Sequence, residues 1–525
     1  MKSLSVCVLF LATLFAQEKP VTLYPGLGTW RHPIATRLPE AQKFFDQGLI
    51  LLYSFNRYEA LRSFRKVAEL DPRAAMAYWG IAMALGPHIN MDTDLDVHVK
   101  ESCDAVNKGL RAQDIGTVER DWLNAAASRC PGSSESGRYI AAMRALAARY
   151  PDDPDAQTLY AEALMVPVRW RWYRADGVPA EGVAEAERLL ETVLRRNPYH
   201  PGANHLYIHA VESSPTPERA VPSAQRLMAI VPTAGHMVHM PGHIWLVLGD
   251  FENTVAVNER AAELDRQYFA RTGVMGSYYG YYLHNLHFIL YARSMQGRVA
   301  ATMAAGRQLS DSTKAMSQAM PEMAGMFDAL VSMAQLRLYR WDDVLGVAKP
   351  ASQDTLLNAL WRYSRAVAFA GKSQLNQARQ EQADFERLRK TVAPGAPWGN
   401  NKSGSVLEVA AVALDARLAA SPAAAIPKWK RAVELQDALV YDEPPAWYYP
   451  VRESLGAAMM IAGDAPGAEA VFREGLRRSP NNGRMLFGLW ESLKAQKKTD
   501  AAAWVEREFV AAWKGAEIQL RLKDL

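Results

Sequence analysis

The sequence predicts an all-α protein, a superhelical solenoid of stacked helical hairpins. Strand signals are nearly absent along its 525 residues, and two histidine pairs, His205/His209 and His239/His243, recur 34 residues apart. Thirty-four residues is the period of helix-turn-helix repeats that stack on one another. The four-residue segments LGDF at 248–251, QGRV at 296–299, LYRW at 338–341 and AGKS at 370–373 each separate paired helical patterns.

The composition is that of an ordinary folded protein, with 49% hydrophobic and 22% charged residues. A net charge of +4, spread without a basic block, disfavours nucleic acid as a partner. The first residues carry Lys2 and then an apolar run from Leu4 to Phe15, too short to span a bilayer. They are expected to form a signal peptide over 1–16, cut after Ala16. No later stretch reads as a membrane span, so the expected location is periplasmic or secreted. Cys103 and Cys130 lie at matching heights beside a predicted turn near Asp114–Gly116. In an oxidising compartment they are expected either to pair or to stay as buried thiols.

The segment 44–72 places Gly48, Ala60, Phe64 and Pro72 at fixed offsets, and Gly456, Ala468, Phe472 and Pro480 repeat those offsets near the C-terminus. The small residues permit close helix contact, the aromatics fill the gap opposite, and the prolines stop the second helix. In these two segments the chain resembles the tetratricopeptide-repeat (TPR) superfamily. The expected organisation after the signal peptide is an extended segment over 17–40, a histidine-rich TPR-like half over 41–310 carrying a metal site, and a plainer TPR-like half over 311–525. All 11 histidines precede residue 288, which marks the first half as the one with chemistry. Arg129–Gly137, Trp170–Glu181 and Lys390–Gly404 are the expected long loops, and Asn401-Lys402-Ser403 fits a glycosylation acceptor.

Measured from each turn, the histidines share offsets. His236, His239 and His243 precede Gly249 by 13, 10 and 6 residues, and His284 and His287 precede Gly297 by 13 and 10. Pro215 occupies the preceding turn, with His205, His209 and Glu212 at 10, 6 and 3 before it. The resemblance implies that these offsets line a concave, ligand-binding groove. Packed cationic imidazoles would repel, and neutral ones need partners in a partly dry cleft; a cation answers both demands. His88, with Asn90 and Asp92, is expected at the mouth of the same groove. Glu212 is the one carboxylate in register, as ligand, as a partner orienting an imidazole, or as general base. Pro241, between two ligand candidates, should break its helix. His32, His98 and His200 fall outside the register and read as surface or structural.

The candidate metal set is therefore His88, His205, His209, Glu212, His236, His239, His243, His284 and His287. So many imidazoles with so little carboxylate favour copper, with zinc or iron as alternatives. The favoured function is a copper-type oxidoreductase on the TPR scaffold. One alternative is a zinc hydrolase with Glu212 as base. Another is a non-catalytic scaffold that binds a peptide or protein partner or stores metal. The substrate would be a small molecule or peptide in the groove, with Tyr78, Trp79, Trp170, Trp172, Tyr173, Tyr278, Tyr279, Tyr281 and Tyr282 as aromatic walls or as filling between helices, and Arg169, Arg171 and Arg174 suited to a carboxylate.

Overall fold

A computed structural model describes residues 19–90, 96–130, 136–273, 276–314, 321–350 and 353–525. The expected signal peptide with Cys7, and Asp92 from the groove mouth, lie outside the described residues. The chain is an all-α protein in which most helices pack against the next in sequence as hairpins. Among the described residues the only strands are the two-residue pair Pro397–Trp398 and Asn401–Lys402, within the loop expected at 390–404. No helix there is long and apolar enough to cross a membrane.

Two compact units emerge. One holds the chain through Ile244 together with Arg260–Tyr282; the other holds Trp245–Glu259 with Leu283–Leu525.

The first unit begins with hairpin α1 (Pro39–Tyr53) and α2 (Arg57–Leu70), then α3 (Ala75–Leu85), α4 (Asp96–Leu110), α5 (Thr117–Ala127), α6 (Ser136–Arg149) and α7 (Pro154–Met165). After the Trp170–Glu181 loop come α8 (Val183–Arg196), α9 (Pro201–Glu212), α10 (Val221–Ile230) and α11 (Gly235–His239). Local rules set the boundaries. Asn56 caps α2 through the Glu59 N–H, Asp153 caps α7, and His200 caps α9 by accepting from the Ala203 N–H ahead of Pro201. Helix α12 (Pro241–Val247) starts anew at Pro241, because the ring has no N–H to continue α11. The break expected from the sequence therefore falls at Met240. Helices α13 (Phe251–Thr272) and α14 (Tyr279–Met295) cross from one unit into the other along the chain.

The repeat signature works the same way at both ends of the chain. The fully buried Phe64 ring lies between Gly48 and Gly80, where a β-carbon would stand 2.7 and 2.3 Å from it. Phe472 lies between Gly456 and Gly488 at corresponding distances of 2.5 and 2.2 Å. The absent side chains thus set how closely three successive helices stack around one aromatic knob. Cys103 on α4 and Cys130 after α5 are joined in a disulfide across their hairpin. In the second unit a buried, bidentate Arg337–Glu453 pair, with Asn482 donating to the same carboxylate, ties helices distant in sequence. The glycosylation reading of Asn401 does not stand: its amide is buried and bonded both ways to the Val440 backbone.

Gly80→Ala should destabilise the first unit by about 1–3 kcal/mol, because the ring behind it has no room to retreat. Chemical denaturation checks this; an unchanged midpoint would contradict the tight stacking.

Candidate metal centre

Two turns of helix and one broken helix bring the histidines together. On α9, His205 and His209 are one turn apart and point to the same side. Gly202 lacks a β-carbon where the Tyr53 ring passes, 2.4 Å from where one would stand, so α1 lies directly on α9. Gly235 does the same for α11 against Asp265 of α13, at 1.9 Å. His236 and His239 follow on α11, and His243 on α12.

The outer nitrogens of His205, His209 and His243 are held by acceptors. His205 Nδ1 lies 2.5 Å from the Tyr53 carbonyl. His209 Nδ1 and His243 Nδ1 meet the two oxygens of Glu212 at 2.8 and 2.5 Å. Neither a carbonyl nor a carboxylate can donate, so each Nδ1 carries the proton and each Nε2 carries a lone pair. His205 Nε2 faces His236 Nε2 at 3.2 Å, and His209 Nε2 is buried with no hydrogen-bond partner. The three rings of His205, His209 and His236 bring donor nitrogens within 4.8 Å of one another.

Distance separates two kinds of pair. Two nitrogens bound about 2.05 Å from one tetrahedral metal lie about 3.3 Å apart, close to the 3.2 Å between His205 and His236. His239 Nε2 and His243 Nε2 are 2.7 Å apart, a hydrogen-bond separation. Because Glu212 fixes the His243 tautomer, His239 is the donor of that pair.

Electrostatics favour the ligating forms. His205, His209, His236, His239 and His243 are all within 2% of complete burial, not spread on an open groove. Burial, reinforced by neighbouring imidazoles, holds His205 and His236 well below the usual histidine range. Burial also lowers His209, against the pull of Glu212. Burial alone would raise Glu212, but the His243 and His209 imidazoles together bring it down to about 2. His205, His209 and His236 are thus pushed towards the neutral form beside one ionised carboxylate, the protonation states that metal binding requires. Glu212 spends its oxygens on imidazole N–H groups, so its place is that of the group orienting the rings rather than a free base.

His88 is buried behind the Phe55 ring, which it meets at 4.7 Å, and its Nε2 has no partner. His284 and His287 belong to the second unit, where their rings meet Phe288 at 4.8 Å and Phe327 at 6.3 Å. Burial lowers His287 to about 4. Of the expected aromatic walls, Trp170 and Trp172 lie 5.7 and 6.0 Å from His209, and Tyr281 lies 4.5 Å from His236. Trp79 instead packs among Phe45, Phe64 and Trp122. Arg171 and Arg174 are exposed, Arg174 pairing with Asp176, whereas Arg169 donates to the His88 carbonyl.

Sequence reasoning missed Phe55. It takes a left-handed backbone at φ 55° in the α1–α2 turn and touches His88, His205, His209 and His236 at 4.4–6.0 Å. Nothing periodic marks it; a bulky residue before the capping Asn56 is the one available signal.

The two histidines read as structural, His32 and His200, converge on Asp155. That carboxylate also accepts from Trp30 and Tyr53, four donors in all. It fastens the N-terminal extended segment to α1, α7 and α9. Asp153 beside it is engaged as the α7 cap, which leaves no free donor set for an ion.

No protein-family profile matches the chain, and no curated protein sequence is similar to it. Among solved structures, yeast Tom70 aligns over 89% of this chain and 90% of its own, at 10% identity and a TM-score of 0.30. The human IFIT1 dimer with m7Gppp-AAAA aligns over 91% of both chains, at 12% identity and a TM-score of 0.37. At such scores neither likeness carries an argument about chemistry.

Pairing outweighs burial at both ends of the Asp155–His32 contact: Asp155 is held below the carboxylate range and His32 above its ordinary value. The depressed Asp155 stabilises above about pH 4 and loses that as pH falls through its folded value. The raised His32 stabilises below about pH 6.5 and loses that as pH rises through its own. Asp155→Asn should therefore lower the melting temperature more at pH 6 than at pH 8.5. Equal losses at both would contradict the pairing.

Proposed function

We propose that this chain is a helical-repeat metalloprotein that binds a late first-row transition metal, copper before zinc, through His205, His209 and His236. One observation carries the reading: nitrogens of three buried imidazoles converge within 4.8 Å of one another, while the outer nitrogens of His205 and His209 are pinned by the Tyr53 carbonyl and by Glu212. Without a cation, the buried His209 Nε2 has nothing to accept from, at a cost of about 1–3 kcal/mol. Imidazole donors with a carboxylate committed elsewhere favour copper and zinc over iron or manganese. Copper would supply one-electron redox chemistry there, and an oxidoreductase is the activity this reading favours.

The chain's own contribution is positional. Tyr53 and Glu212 fix tautomers and ring angles, Phe55 and Trp170 exclude water, and His239 and His243 extend the hydrogen-bonded shell. The peptide-binding alternative is weakened by burial, because the imidazoles have no open face to offer an extended chain. Export to an oxidising compartment belongs to the same proposal and is supported by the Cys103–Cys130 disulfide.

Elemental analysis of the purified protein should find about one equivalent of copper or zinc. His209→Ala should abolish retention, and Glu212→Gln should weaken affinity about 10–100-fold. His98→Ala, outside the centre, should leave both unchanged. Equal metal content in all three variants, with helicity intact by circular dichroism, would refute the assignment.

A further inference from the structure

A second set of buried polar groups adjoins the histidine centre and is unused by it. Arg57, 8% exposed, gives its Nη1 proton to the Met83 carbonyl at 2.6 Å and reaches the Gly86 and Pro87 carbonyls at 3.5 and 3.4 Å. Its Nε has no partner. Arg129 stacks over Tyr139 at 3.7 Å. Its Nη1, also without a partner, stands 2.5 Å from where a Gly86 β-carbon would be. Two residues on, the buried His88 keeps its Nε2 unpartnered. Two guanidinium groups and one imidazole thus converge on the turn Gly86–His88, each with a nitrogen left over.

The charge is as unbalanced as the hydrogen bonding. Glu162 is the one carboxylate that Arg57 and Arg129 both feel; burial raises its carboxyl while the two guanidinium groups pull it back. Arg169 adds a third cation through the His88 carbonyl. Burial, then Arg57 and Arg169, hold the His88 ring well below its ordinary range. Buried cations in excess of their counter-charge are costly unless something negative joins them. Gly86 and Pro87 are partly exposed, so the turn is reachable from solvent.

We propose that the Gly86–His88 turn, with Arg57 and Arg129, is an oxyanion site that takes the carboxylate of a small organic acid beside the histidine centre. A planar carboxylate can accept from a guanidinium edge on one side and a ring N–H on the other. The surrounding rings of Phe55 and Tyr139 favour an organic acid over an inorganic ion. The Phe55 ring touches both His88, at 4.7 Å, and His205, at 4.4 Å. An acid held at the turn would therefore present its body towards the metal-binding imidazoles. As a substrate site the assignment rests on the metal reading; as an anion site it does not.

Calorimetric titration of the full-length protein, as purified and after chelation, tests this with benzoate, acetate, inorganic phosphate and neutral benzamide. Benzoate should bind at one equivalent in both states, and benzamide at least tenfold more weakly. Arg129→Gln should weaken benzoate tenfold or more while metal content stays that of the unsubstituted protein. Gly86→Ala, which displaces the Arg129 head group, should do the same. Benzoate binding no better than benzamide, unaffected by Arg129→Gln, or replaced by phosphate alone would overturn the assignment. Metal absent from every preparation, with benzoate binding intact, would remove the metal reading and leave this site standing.

Discussion

The hydrogen bonds on the outer nitrogens of His205, His209 and His243 constrain everything else in the first unit. An imidazole has one proton to give when neutral, and burial favours that neutral form for His205 and His209. Once the Tyr53 carbonyl and Glu212 claim those protons, the inward nitrogens can only accept. A protein interior cannot satisfy several inward-facing lone pairs with side chains that are themselves acceptors. The His239–His243 pair resolves its share by hydrogen bonding at 2.7 Å. In the His205–His209–His236 set, His205 and His236 approach at 3.2 Å, a separation that co-ligands would also have, and His209 Nε2 stays without a partner.

The scaffold serves that constraint. Gly202 and Gly235 bring α1 onto α9 and α13 onto α11, which fixes the carbonyl of Tyr53 and the start of α11 relative to the rings. Pro241 then turns the chain so that His243 reaches Glu212 from a separate helix. Stacked hairpins supply rigid, repeated positions; the sites where the repeat is broken supply the angles. The same logic holds at the Gly86–His88 turn, where a missing β-carbon makes room for a guanidinium.

Much of this was legible in the sequence because it obeys a period. The 34-residue spacing placed His205 and His209 beside His239 and His243, and helical spacing aligned Glu212 with them. The glycine–aromatic offsets around Phe64 and Phe472 announced how the helices stack, and Pro241 announced its own break. What stayed hidden follows from contacts that no period encodes. Phe55 enters the centre through a turn conformation rather than a helical face. The Tyr53 acceptor is a backbone carbonyl, which every residue possesses and no pattern marks. His88 shares the neighbourhood but lies behind Phe55. A burial of 0–2% was likewise invisible to offsets that only implied a groove.

The most direct test is anomalous diffraction from crystals of the protein grown with copper or zinc, recorded on both sides of the metal's absorption edge. A single strong peak about 2.0–2.1 Å from the Nε2 atoms of His205, His209 and His236 is the result expected. A peak located elsewhere, or three rings still facing one another with no anomalous signal at saturating metal, would contradict it.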